Sequence, residues 1–283
     1  MQRIFLLWLM LIPHLNCQKR WAVWQWAVAK QMFTCNLAFL YEMSWPVYLK
    51  QQISCWYQEL IWQQRLEALK NCSVITILDV VYPNALKQLA QPPLVLFYRG
   101  NIALLASPKL AVVGSRQICQ ETKELLQAWV PEWCRSNYVL VSGNARGVDA
   151  LIHELTLEHH GQTIAVLGTG LNFAYPKENA WLQEAIGLNG LVLTEYIPWV
   201  GPKKWHFPER NRIIVGLSSD VVISQASVKS GSMVSAQIAV DENREVWVVP
   251  PLKSGEAFAG NQVLLDDGAN YLSAAQNILN GRK

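Results

Sequence analysis

Two hydrophobic rhythms divide the chain. From about residue 109 onward, short and continuously apolar runs recur, each followed by a turn and then by a stretch with helical spacing. The runs are Leu110–Val113, Tyr138–Val141, Thr163–Leu167, Gly190–Leu193, Asp220–Ile223 and Glu245–Val249, with helical stretches at Thr122–Trp133, Ala150–Glu158, Glu178–Ile186 and Ser232–Glu242. Strands apolar on both faces that alternate with helices predict a mostly parallel sheet covered on both sides, an α/β, Rossmann-like doubly wound domain over 109–283. Ligands of such sheets sit beyond the carboxyl ends of the strands, so the loops that follow the strands are where function is sought.

The first 72 residues follow a different rhythm. Seven of the thirteen tryptophans (Trp8, Trp21, Trp24, Trp26, Trp45, Trp56 and Trp62) lie there among Leu, Gln and Ala, with breaks at Pro13 and Pro46. This predicts short packed helices, a small all-helical N-terminal domain over 1–72 in which rings at helical spacing form core more readily than a base-stacking surface. The opening Met1–Pro13 sets one arginine before nine apolar residues but has no small-residue cleavage site. It is also shorter than the roughly 20 apolar residues of a membrane span, so a buried first helix and a cytoplasmic protein without membrane association are expected. Between the two regions, Val74–Leu78 and Leu94–Tyr98 flank Tyr82-Pro83 and Pro92-Pro93, which reads as a connecting segment over 73–108 leading into the main domain.

Composition narrows the chemistry. Of 283 residues, 51% are hydrophobic and 16% charged, as in a folded globular protein. A formal net charge of +3 is too mild to announce a nucleic-acid partner, so any basic footprint has to be local. Six scattered cysteines form no CxxC pair, which argues against a zinc site and for reduced thiols; no metal and no cofactor are expected.

Five loops carry candidate anion chemistry. Gly114-Ser115-Arg116 offers close backbone approach, a hydroxyl and a planar cation. Ser142-Gly143-Asn144-Ala145-Arg146-Gly147-Val148-Asp149 opens a helix, whose positive end suits an anion, with a tight turn capped by Asp149 as the alternative. Gly168-Thr169-Gly170 is followed by Lys177, a flexible point charge. Lys203–Arg212 sets four cations against one glutamate beside Trp205 and Phe207, where phosphates and unpaired bases would find partners in Arg210, Asn211, Arg212 and the rings. Ser230-Gly231-Ser232 places small donors at a helix start. Neither a GxGxxG fingerprint nor a Gly-Lys-Ser/Thr loop is present, which weighs against ordinary NAD or ATP chemistry.

At these residues the sequence resembles the DNA-processing protein A family (DprA, also called Smf). The resemblance runs from about Tyr82 to Ala269 and rests on Val-Gly-Ser-Arg at 113–116, Ser-Gly-x-Ala-x-Gly-Val-Asp at 142–149 with His153, Gly-x-Gly then Tyr-Pro at 168–176, Phe-Pro-x-Arg-Asn-Arg-Ile-Ile at 207–214 and Ser-Gly-Ser at 230–232. It implies an extended Rossmann fold, a homodimer, and a protein that binds and protects incoming single-stranded DNA during natural transformation and helps load RecA recombinase. It further implies that Arg116, Lys177 and Arg210–Arg212 hold the DNA backbone while the glycine turns admit phosphates. Three departures stand out: Gln225-Ala226 where members usually carry Glu-Ala, Ser235-Ala236 for Thr-Ala, and Val249-Pro250-Pro251 for Val-Pro-Gly. The last removes backbone freedom and predicts a locally altered loop within an intact fold.

Two competing classes remain. A nucleoside-monophosphate hydrolase of a related Rossmann group would need Pro-Gly-Gly-x-Gly-Thr with a nearby glutamate, where this chain has Lys229–Ser232; no carboxylate pair or Ser/His/Asp set lies on the loops, and catalysis is not expected. His153 and His206 read as helix packing and groove lining. A degenerate homologue kept as a structural partner is the other, supported by Gln225 and Pro251.

Overall fold

The computed structural model of the protein describes residues 1–12, 15–33 and 59–280. Trp45 and Trp56, and with them the centre of the expected N-terminal helical domain, lie outside the described residues.

Among the described residues three helices precede the first strand: α1 (Gln2–Leu11), α2 (Cys17–Lys30) and α3 (Glu59–Lys70). Then come β1 (Val74–Thr76), the single turn α4 (Asn84–Lys87), β2 (Val95–Gly100), β3 (Lys109–Val113), α5 (Gln120–Arg135), β4 (Val139–Ser142), α6 (Val148–Glu158), β5 (Gln162–Val166), α7 (Ala180–Asn189) and β6 (Leu191–Thr194). The chain continues through α8 (His206–Leu217), β7 (Asp220–Ile223), α9 (Gly231–Asp241), β8 (Glu245–Val248), α10 (Ala259–Asp266), β9 (Asn270–Tyr271) and α11 (Gln276–Asn280). The strands form one nine-stranded sheet in the order β1-β2-β6-β5-β4-β3-β7-β8-β9. Pairing is parallel from β6 through to β9 and antiparallel for β1 with β2 and β2 with β6.

The apolar runs behave as their composition demands. β3, β4, β6 and β7 are buried at every position, because helices cover both faces of the sheet. The segment 73–108, expected as a connection, instead supplies β1 and β2 to the main sheet: Phe97 pairs with Thr194 and Arg99 with Val192. Antiparallel strands at the edge of a parallel sheet need no full crossover helix, and the single turn α4 lies between these two runs.

The expected buried first helix is present. Phe5 through Ile12 are all buried, and Phe5, Trp8 and Trp24 cluster with Phe33 at ring separations of 5.7 to 6.4 Å. This apolar cluster also takes in Leu94, Val95 and Phe97, so the N-terminal helices share a core with the antiparallel edge of the sheet. Among the described residues no helix is long and apolar enough to cross a membrane.

The order of connections fixes where a ligand fits. From β3 the chain proceeds outward through β4, β5 and β6, then returns to lay β7 and β8 on the other side of β3. The loops after β3 and β7 therefore leave the sheet in opposite directions, and a crevice opens between them.

Candidate nucleic-acid interface

A cleft of about 450 Å³ occupies this crevice. Its floor and walls come from Gly114, Ser115, Arg116 and Gln117 after β3, Ala145 and Asp149 at the head of α6, Phe207, Pro208, Arg210, Asn211 and Ile214 on α8, and Lys229 to Ser232 with Ser235 where α9 begins. Of the residues singled out in the sequence, the fold thus gathers Gly114, Ser115, Arg116, Phe207, Arg210, Asn211, Ser230 and Gly231. Ser142, Gly143, Gly147, Gly168, Gly170, Lys177 and Arg212 do not line it.

The head of α9 is the anion-seeking end of the cleft. Ser230 occupies the N-cap position but its side chain caps nothing, and its buried hydroxyl has no partner. The amides of Gly231 and Ser232 have no protein acceptor among the described residues, and apart from its chain neighbours and its own helix backbone no described atom lies within 4 Å of where a Gly231 Cβ would stand. Uncapped amides at the positive end of an eleven-residue helix form a ready anion site. Arg116 and Lys229 line the same cleft, are exposed, and have no carboxylate partner among the described residues.

The second glycine loop does something else. The Asp149 carboxylate accepts from the Gly143 amide at 3.1 Å and the Ala145 amide at 3.4 Å, so the amides expected to greet an anion are already satisfied from within the protein. Burial pushes the Asp149 carboxyl up, while Arg210 and the amides pull it back. Gly147 is required by geometry: at φ +72° a side chain is strained, and a Cβ would lie 2.3 Å from the Ser115 carbonyl. Val148 N–H donates to that carbonyl, which ties the first two loops together. Ser142 is buried and donates to Val112 O at 2.7 Å, a strand-to-strand contact beneath the cleft.

Arg210 and Arg212, expected to hold a DNA backbone, are both largely buried, Arg210 at the cleft wall and Arg212 away from it. Of the basic run, Lys203 to Trp205 precede α8 while Arg210 and Arg212 lie within it, and both guanidinium groups are directed inward. Arg210 is 4% exposed; its Nη1 donates to the Gly143 carbonyl at 2.6 Å and to the Val166 carbonyl, and its charge faces Asp149. Gly143 makes this possible, since a Cβ there would sit 2.1 Å from Arg210 Nη1. Arg212 donates through Nη2 to both oxygens of Glu195, each at 2.9 Å, in a largely buried fork. Both arginines brace α8 against the sheet. Phe207 and Asn211 remain facing the cleft.

The third loop lies apart. Gly168 sits under the Phe207 ring and gives its carbonyl to His206 Nδ1 at 3.1 Å, and the Gly170 amide donates to Val200 O. Lys177 begins a short 3-10 turn and is exposed, outside the cleft. The histidines are structural. His153 is fully buried with Nδ1 2.7 Å from the Thr163 hydroxyl, and burial, then the Arg210 charge, hold its pKa down to about 3. His206 is buried and stacks on Tyr196 at 3.9 Å, and burial lowers it to about 4.

The departures also find places. Gln225 is 2% exposed and clamps the loop after β3: its Oε1 accepts from Cys119 N–H and its Nε2 donates to the Gln117 carbonyl, both at 3.0 Å. A carboxylate could not make the second bond. Ser235 lines the cleft, whereas Pro251 does not. Lys229 and Gln117 are cleft residues that the sequence reading passed over; the signal for Lys229 was its position directly before Ser-Gly-Ser.

A sequence model of the family described as DNA recombination-mediator protein A matches residues 73–283. DNA processing protein DprA of Streptococcus pneumoniae is 41% identical over 204 residues, 72% of each chain. The Bacillus subtilis protein of the same name is 35% identical over 232 residues, 81% of this chain and 78% of its own. The crystal structure of the S. pneumoniae protein superposes with a TM-score of 0.86 at 32% identity, covering 98% of this chain and 96% of that one. DNA processing protein A of Helicobacter pylori, whose structure is described for its single-stranded DNA binding mode, gives a TM-score of 0.67 at 33% identity over 75% of this chain and 96% of its own. With its sheet order, its switch-point cleft and these matches over most of its length, the chain belongs to the DNA recombination-mediator protein A family.

Proposed function

We propose that this protein is a non-catalytic mediator of recombination that binds single-stranded DNA in the switch-point cleft. On this reading it acts in the cytoplasm as a homodimer, protects DNA taken up in natural transformation and hands it to RecA recombinase. The observation that carries it is the open head of α9, where amides and a Ser230 hydroxyl without partners among the described residues share one cleft with the exposed cations Arg116 and Lys229. Helix amides and cations together bind phosphate irrespective of sequence, and the Phe207 ring beside them suits an unpaired base. Gly114, Ser115, Asn211 and Gly231 belong to the same contact surface. Arg210 forms part of the cleft wall while bracing it, Ser142, Gly143, Gly147, Gly168, Gly170 and Arg212 shape it from behind, and Lys177 meets a strand that extends past the cleft. The H. pylori relative, described as a single-strand binder, supports the choice of ligand.

The test is binding of labelled single-stranded and duplex oligonucleotides at about 50 and 200 mM salt. Preference for the single strand, weakening with salt, is the expected result. Equal affinity for both forms, or none for either, would remove the proposal, and release of a free base from a nucleotide would show catalysis.

A further inference from the structure

Behind α8, outside the cleft, lies a second charged cluster to which the N-terminal helices contribute. Glu195 follows β6, Glu209 and Arg212 stand on α8, and Arg20 reaches them from α2. Arg20 is half-buried, and its Nε is enclosed without a partner among the described residues. Burial pulls its guanidinium below the usual arginine range, while Glu195, Cys17, Tyr196 and Glu209 pull it back. The apolar contacts place α2 here as well. Trp21, Val23 and Trp24 share one cluster with Ile197 and Trp199 of the segment between β6 and α8, and Cys17 Sγ donates to Gln91 Oε1 at 3.3 Å.

The cluster balances only with α2 in place. Arg212 commits its fork to Glu195, which leaves Glu209 with the Tyr196 hydroxyl at 3.2 Å and the facing charge of Arg20. Two carboxylates thus meet two guanidinium groups, one of them lent by the N-terminal helices. Glu209 and Tyr196 in turn hold the first turn of α8, whose N-cap residue Trp205 makes no side-chain bond. Tyr196 stacks on His206 and donates to the His206 carbonyl at 3.3 Å. Phe207 is the next residue on that turn, and it lines the cleft.

We propose that Arg20 is a positioning residue for single-strand binding: from α2 it fixes, through Glu209 and Tyr196, the first turn of α8 and with it Phe207. The N-terminal helices and the cleft are then coupled, although no residue of α2 lines the cleft. Coupling is reciprocal, so a strand bound in the cleft tightens α2 in return. The inference rests on the cleft reading above.

The test measures backbone hydrogen exchange of the full chain with and without an oligothymidylate of about twenty nucleotides, beside its binding affinity. The bound strand should slow exchange across Cys17–Lys30. Arg20→Ala should abolish that protection and weaken binding at least about three-fold at a temperature where it stays folded, with the salt slope of the wild type because no phosphate contact is deleted. Arg20→Lys, which keeps the charge, should regain affinity. Arg3→Ala cuts the ion pair of α1 with Asp79 at the β1 edge of the sheet and should bind as the wild type does. Absence of protection in the bound wild type overturns the proposal whether or not the alanine variant folds. Unchanged affinity of folded Arg20→Ala also overturns it, as does an equal loss in Arg3→Ala, which would assign the effect to the general stability of the N-terminal helices. Failure of the wild type to bind the oligonucleotide would instead defeat the cleft reading itself.

Discussion

Arg210→Ala is the substitution that best separates a scaffold role from a DNA contact. The guanidinium is 4% exposed, donates to the carbonyls of Gly143 and Val166, and faces the buried Asp149. Removing it orphans two buried acceptors and leaves a buried carboxylate without its cation, and breaking a buried charge pair in this way costs about 3 to 5 kcal/mol. At about 2 to 4 °C per kcal/mol for a domain of this size, the thermal midpoint should fall by roughly 6 to 20 °C. The assay is thermal and urea denaturation of the purified variant beside salt-dependent binding at a temperature where it remains folded. The slope of affinity against salt should be that of the wild type, because no phosphate contact has been deleted. An unchanged midpoint with a slope reduced by about 0.7, the signature of one lost phosphate contact on a single strand, would refute the reasoning.

Arg116→Ala should give the converse: an unchanged midpoint and a salt slope smaller by about 0.7, read by titration of a labelled single strand. Gln225→Glu sets a carboxylate against the Gln117 carbonyl in a buried site, so the loop after β3 should loosen at a cost of about 1 to 3 kcal/mol, with weaker single-strand binding that recovers on acidification; melting and binding at two pH values check both parts. His153 makes stability depend on acid. Its pKa is lowered from 6.5 to about 3 in the fold, so the unfolded chain takes up a proton that the folded one refuses. Its contribution is therefore complete above about pH 6.5 and is lost as pH falls towards 3, by at most about 1.4 kcal/mol per pH unit. His153→Gln should flatten urea midpoints across that interval, and an unaltered slope would show the imidazole to be protonated in the fold.

Much of the α/β frame was legible along the chain because its causes are local. Runs such as Leu110–Val113 and Val221–Ile223 are apolar without alternation, as suits a strand buried on both faces. The edge was less legible: β1 and β2 read as a connection because antiparallel pairing of β2 with β6 is a long-range choice that no local pattern announces. The cleft was half legible. Gly114 to Arg116 and Ser230-Gly231 sit at strand ends, where sheet topology alone aims them at a ligand.

The sequence by itself determined which residue types stand at the ends of which strands, and hence that anion chemistry gathers along one edge of a parallel sheet. Only the tertiary structure decided which of those groups are free. Arg116 and Arg210 carry the same charge and both stand in glycine-containing or basic runs, yet Arg116 faces solvent and Arg210 is enclosed beneath Gly143. The difference comes from the helical phase of α8 against the sheet and from Asp149 on a neighbouring helix, contacts between residues 44 and more positions apart. A buried cation satisfied by carbonyls and a carboxylate has little left to offer a phosphate, whereas the head of α9 keeps its amides because no side chain among the described residues caps them.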